Sequence, residues 1–120
     1  MTAPSILIVD NDRSNLEQLS QQLSEEGYST TGAFTLEEMD NAMNKQENIK
    51  LAIIDISGFD DSIWQRCDRL HETKTPFIII MPQRSPVLQR DSLKHGANCL
   101  LVKPIGIKEL IEHIHAALGD

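Results

Sequence analysis

The sequence predicts a doubly wound α/β fold: five parallel strands in one sheet, with helices on both faces. Three observations predict it. Short, wholly apolar runs recur along the chain, stretches of helical period separate them, and the connections are brief. Ile6–Val9, Leu51–Ile54, Phe77–Met81 and Leu100–Val102 lack the polar alternation of a half-exposed strand, which is the pattern of strands covered on both sides.

The first strand, Ile6–Val9, runs into Asp10-Asn11-Asp12. Leu16, Leu19 and Leu23 then recur at helical spacing, and Gly27 can take the positive φ that ends a helix. Tyr28–Thr31 reads as a short, more polar strand. Thr35 and Glu38 form a capping box before a second helix whose inward stripe is Met39, Ala42 and Met43. The third strand ends at Asp55, and Ser57, Gly58, Asp60 and Asp61 make a loop with possible caps for a helix carrying Ile63, Trp64, Cys67 and Leu70. Pro76 opens the fourth strand. Ser85-Pro86 supplies an N-cap with proline at the first helical position, and Gly96 closes that helix. Asn98–Val102 is the fifth strand, followed by Lys103-Pro104 and a last helix with Ile107, Leu110, Ile111, Ile114 and Leu118 on one face.

An open α/β sheet presents its ligands beyond the carboxyl ends of its strands. The Asp10-Asn11-Asp12 cluster, Asp55 and Lys103 all follow strands directly, so they are expected to converge there.

The 120 residues suit one compact domain spanning 1–120, without linker, repeat or low-complexity stretch. A net charge of −7 argues against a nucleic-acid-binding face, which needs clustered Lys and Arg. Cys67 and Cys99 have neither C-x-x-C nor metal-ligand spacing, so they read as free thiols of a reducing compartment. Met1–Pro4 does not open a signal peptide, and no apolar run reaches the roughly 18 residues of a membrane span; a soluble cytoplasmic protein with no membrane partner is expected. His113 and His115 sit two apart on a helix and make a poor metal pair, His71 and His95 read as helix-end residues, and Trp64 reads as packing.

Ile6 to Asp12, Leu51 to Asp55, Thr75 to Ile80, Gly96-Ala97 and Lys103-Pro104, in this order and at these intervals, resemble the CheY-like receiver domains of two-component response regulators. The resemblance spans essentially the whole chain and implies a flavodoxin-like receiver fold with a signalling rather than an enzymatic role. In that family an aspartate at the end of the third strand takes a phosphoryl group from a kinase histidine, assisted by Mg²⁺. Asp55 would then be the phosphoacceptor and Lys103 a phosphate contact. Asp10, Asn11, Asp55 and the Ser57 backbone carbonyl would hold the Mg²⁺, and Pro104 matches a proline that follows a cis bond. The implied partners are a sensor histidine kinase or a histidine phosphotransfer protein. A downstream protein would dock on the fourth helix, fifth strand and fifth helix, through Val87 to Lys94 and Ile105 to His115. With no output module after Gly119-Asp120, the sequence reads as a stand-alone receiver or one cut from a longer regulator.

The chain departs from the family pattern at its switch. Asn11 stands where a second acid is usual, which removes one negative charge from the metal site; Asp12 is placed either to substitute for it or to cap the first helix. Met81 replaces the small hydroxyl residue at the end of the fourth strand, and Leu100 replaces the aromatic partner in the fifth. A thioether donates no hydrogen bond, so the usual relay cannot operate unchanged. Ser57, Gln83 and Ser85 are polar candidates for a replacement donor, each also explicable as a loop or cap residue. Two alternatives accompany this reading. One is a pseudo-receiver that binds proteins without phosphorylation. The other is a phosphatase, because Asp10 and Asp12 also resemble the nucleophile and acid/base pair of haloacid dehalogenase-like enzymes.

Overall fold

The computed structural model describes residues 5–45 and 48–119, so the expectations for Met1–Pro4 and Asp120 lie outside the described residues. Ten elements alternate in order: β1 (Ser5–Val9), α1 (Arg13–Glu25), β2 (Ser29–Ala33), α2 (Leu36–Lys45), β3 (Ile49–Asp55), α3 (Ile63–Glu72), β4 (Phe77–Met81), α4 (Pro86–Lys94), β5 (Cys99–Val102) and α5 (Ile107–Leu118). The strands form one sheet in the order β2-β1-β3-β4-β5, with every pairing parallel. From β1 the chain first winds outward to β2 and then in the opposite sense through β3, β4 and β5. The reversal falls between β1 and β3, the switch point at which such sheets open a crevice.

Side chains alternate between the two faces with the strand period of two. Ile6, Ile8, Leu51, Ile53, Ile78, Ile80 and Leu101 pack with Leu16 and Leu23 of α1 and Leu110 and Ile114 of α5. Leu7, Val9, Ala52, Ile54, Phe77, Ile79 and Met81 pack with Met39 of α2 and with Ile63, Trp64, Cys67 and Leu70 of α3. Both faces are therefore dry, which is why these strands show no polar alternation in sequence.

Local chemistry explains the element ends. Asp12 caps α1 by accepting from the Ser14 and Asn15 amides at 3.0 and 3.3 Å. The Thr35 hydroxyl accepts from the Glu38 amide at 3.1 Å, as a capping box requires, but the Glu38 carboxylate reaches one residue further back, to the Phe34 amide at 2.6 Å. Ser85 accepts from the Leu88 amide at 3.2 Å and Pro86 begins α4. The α3 cap differs from expectation: Ser62 occupies the N-cap position without a side-chain cap bond, while Asp60 accepts from the Ser62 amide at 2.9 Å and from its hydroxyl.

Four strands shift from their sequence-based bounds: β1 starts one residue early at Ser5, β3 runs Ile49–Asp55 rather than Leu51–Ile54, and β2 and β5 move for reasons visible in their contacts. β2 runs to Ala33, past the expected end at Thr31, because pairing with β1 from Ser5↔Ser29 to Val9↔Ala33 holds the weak strand formers Gly32 and Ala33 extended. β5 begins at Cys99 because Asn98 acts as a clip: its amide donates to the Phe77 carbonyl at 3.0 Å and its side chain accepts from the Phe77 amide at 3.1 Å.

Candidate functional site

Strand register brings the two key acids together. Val9 lies beside Ile54, so the next residues, Asp10 and Asp55, leave adjacent strands side by side. Asp55 lies opposite Ile80 of β4, and the Lys103 amide donates to the Met81 carbonyl at 3.0 Å, which extends β5 to the same edge. Asp10 follows Ile6 and Ile8, Asp55 follows Leu51 and Ile53, and Lys103 follows Leu101. All three continue the rows that face α1 and α5.

The Lys103 ammonium is 2.5 Å from Asp55 Oδ2, and the Ser57 amide donates to Asp55 Oδ1 at 2.9 Å. Both carboxylate oxygens are thus engaged by donors. The Lys103–Pro104 bond is cis, as the family resemblance implied. Asp10 Oδ1 accepts from the Asp12 amide at 2.9 Å. Asp10 and Asp55 are only 8% and 4% exposed, so two acids share a poorly solvated edge.

Their electrostatics follow from that burial. Burial pushes the Asp10 carboxyl above its usual range, and the charge of Asp55 adds to the effect, while the Asp12 amide and Lys103 oppose it. The hydrogen bond to Asp55 holds the Lys103 ammonium above the ordinary lysine value. One cation beside two buried acids leaves the cluster net negative, an environment that favours a further cation.

Asn11 and Asp12 settle differently from the acids. Asp12 turns to cap α1 and is not a substitute carboxylate in the cluster. Asn11 Nδ2 donates to the Gly58 carbonyl at 3.2 Å, tying the loop after β1 to the loop after β3. Gly58 has φ +81°, and a Cβ there would lie 2.5 Å from Asn11 Nδ2, so the tether needs glycine. Among the described residues no group of three or more His, Cys, Asp or Glu is arranged to hold a metal ion. The donor chemistry still fits a hard divalent cation: Asp10 and Asp55 offer carboxylate oxygens and Asn11 an amide oxygen. Met81 is 3% exposed and packs in the core against α2 and α3; Leu100 is half-buried on that same side.

Comparison with known proteins decides the family. The model of the response regulator receiver domain matches residues 6–115. The chain belongs to the response regulator receiver domain family. It is 30% identical over 115 residues to the heme response regulator HssR of Staphylococcus epidermidis, covering 93% of this chain and 50% of that protein. It is 25% identical over 115 residues to the response regulator protein GraR of Staphylococcus saprophyticus, covering 92% of this chain and 50% of that protein. The chain therefore spans about half the length of these curated relatives. Among solved structures it resembles a CheY-like receiver domain protein from Methanospirillum hungatei, with a TM-score of 0.87 and 29% identity over 98% of this chain and 95% of that one. A two-component response regulator from Clostridium difficile matches with a TM-score of 0.87 and 25% identity, over 97% and 96% of the two chains.

Receivers are phosphoacceptor signalling domains rather than enzymes. They work with histidine kinases or phosphotransfer proteins and generally bind Mg²⁺ at the phosphorylation site. The family match favours neither the phosphatase nor the pseudo-receiver alternative. No helix among the described residues is long and apolar enough to cross a membrane.

Sequence reading missed several contacts. His95 is more than a helix-end residue: its Nδ1 lies 2.6 Å from Asp68 Oδ1, and its ring stacks on Trp64 with centroids 5.2 Å apart. His71 packs over Gly96, where a Cβ would come within 2.4 Å of its ring nitrogen. His113 Nδ1 sits 3.3 Å from Cys99 Sγ. Cys67 and Cys99 are free thiols, and burial pushes Cys67 up to about 12. These pairs join different elements, and no local pattern marks them.

Proposed function

We propose that residues 1–120 act as one receiver that accepts a phosphoryl group on Asp55 from the histidine of a sensor kinase or a histidine phosphotransfer protein. The observation that carries the reading is the pairing of a 4%-exposed Asp55 at the end of the central strand with the Lys103 ammonium 2.5 Å away. A carboxylate is a weak nucleophile toward phosphorus, and neutralising charge around it is what a site of this kind contributes. Lys103 would release Asp55 Oδ2 to attack and then pair with a phosphoryl oxygen as a point charge. The Ser57 amide fixes the other carboxylate oxygen. Asp10, Asn11, Asp55 and the Ser57 carbonyl would hold Mg²⁺, which when bound neutralises charge between carboxylate and phosphoryl oxygens.

Signalling would pass to a downstream protein through α4, β5 and α5, where Val87 and Leu93 are 54% and 55% exposed. The domain itself would contact neither nucleic acid nor membrane and would work in the cytoplasm. Because Met81 and Leu100 replace the usual hydroxyl and aromatic switch residues, the conformational response would differ from the family's common relay. Intact-mass measurement after incubation with acetyl phosphate and Mg²⁺ tests the assignment. One phosphoryl adduct is expected on the wild type and none on Asp55→Asn; an unmodified wild type, or an equally modified variant, removes Asp55 from the role.

A further inference from the structure

The end of β4 offers no hydroxyl, yet the site contains one without a task. Two buried hydroxyls among the described residues have no hydrogen-bond partner, Ser92 Oγ in α4 and Ser57 Oγ, and only Ser57 follows the phosphoacceptor strand, its amide already on Asp55; Ser85, by contrast, caps α4 with its hydroxyl. A buried hydroxyl left unsatisfied is costly, and its persistence asks for a ligand that satisfies it. Its place is set by the backbone: the Ser57 amide donates to Asp55 Oδ1 at 2.9 Å. A hydroxyl lies only about 3–4 Å from its own amide nitrogen by covalent geometry, so Ser57 Oγ is within reach of a group bonded to Asp55. The segment is also held. The amide of Asn11 donates to the carbonyl of Gly58 at 3.2 Å, a bond that an aspartate at position 11 could not donate.

We infer that the Ser57 hydroxyl is the surrogate for the donor missing at Met81, hydrogen-bonding a phosphoryl oxygen on Asp55 while Asn11 holds the Ser57-Gly58 turn in place. This rests on the assignment of Asp55 as phosphoacceptor. In the transfer from a small acyl phosphate, Asp55 forms the new P–O bond as the bond to the acyl oxygen breaks and the carboxylate leaves. Ser57 keeps its proton and only donates a hydrogen bond to the charge on the phosphoryl oxygens. The two departures from the family pattern are then connected: an amide at 11 steadies the loop that replaces the hydroxyl lost at 81.

The test follows the rate of adduct formation with acetyl phosphate and Mg²⁺ by intact mass, with thermal unfolding midpoints to verify folding. Ser57→Ala is expected to slow phosphorylation about ten- to a hundredfold, the effect of one lost hydrogen bond to a charged group. Ser57→Thr, which keeps the hydroxyl, is expected to stay within about threefold of wild type on the same basis. Met81→Thr in the Ser57→Ala background restores a donor from β4 and is expected to recover about tenfold, which a merely structural role for Ser57 would not allow. A Ser57→Ala rate within about twofold of wild type overturns the inference and leaves Asp55 standing. So does a threonine variant as slow as the alanine one, or a double variant no faster than Ser57→Ala. A wild type that forms no adduct overturns both the inference and the phosphoacceptor assignment.

Discussion

At the scale of single residues, the site trades stability for chemistry. Asp10 is held with its carboxyl raised, first by burial and then by Asp55, so its ionised form is disfavoured in the fold relative to the unfolded chain. Stability therefore falls as pH rises from the ordinary carboxylate range through the raised folded value, and the penalty is complete above that value. Asp10→Asn keeps an oxygen for the Asp12 amide and removes the charge. The expected outcome at pH 7 is a gain of about 0.5–2 kcal/mol in urea unfolding, the range typical when a functional-site liability is removed. The same variant is expected to lose Mg²⁺ response in an NMR titration. A less stable variant would show that Asp10 contributes to the fold through contacts other than its charge.

At the scale of elements, helices are fixed to one another by ion pairs that no local pattern announces. Arg66 of α3 grips Asp40 of α2 through both nitrogens, Nε at 3.0 Å and Nη2 at 2.8 Å, and Arg69 adds a contact at 3.6 Å. The Arg66 hydrogen bond holds the Asp40 carboxyl below its usual range. That stabilisation is complete above the unfolded carboxylate value and disappears as pH falls through the depressed folded one. The side chains are 20% and 29% exposed, so solvent screens the pair and about 1 kcal/mol is the scale to expect. Asp40→Asn should therefore lower stability by about 1 kcal/mol at pH 7 and converge on wild type as pH falls through the depressed folded value, read from urea midpoints across pH. A deficit that persists undiminished at the acid end would mean that packing, not charge, is lost. The capping residues Thr35 and Ser85 were legible in sequence because a cap acts within three residues of its own position. Asp40 with Arg66 was not, because the partners lie 26 residues apart on separate helices.

At the scale of the whole molecule, the sheet's two covered faces set stability and position the site together. Phe77 is fully buried on the α2 and α3 side and is clipped at its backbone to Asn98, so it anchors both the core and the β4–β5 pairing. Phe77→Ala is expected to cost about 3–5 kcal/mol in denaturant unfolding, enough to leave many domains of this size marginal. A loss under about 1 kcal/mol would mean the core collapses around the gap. By itself the sequence determined the strand–helix alternation, the dry character of the strands, the main caps, and the edge at which Asp10, Asp55 and Lys103 meet, because burial and capping are written into neighbouring residues. Only the tertiary structure decided that Asp12 caps α1, that Asn11 tethers Gly58 and that the Ser57 hydroxyl is left without a partner. Those outcomes depend on register and on loops meeting across the switch point, distances that one-dimensional spacing does not encode.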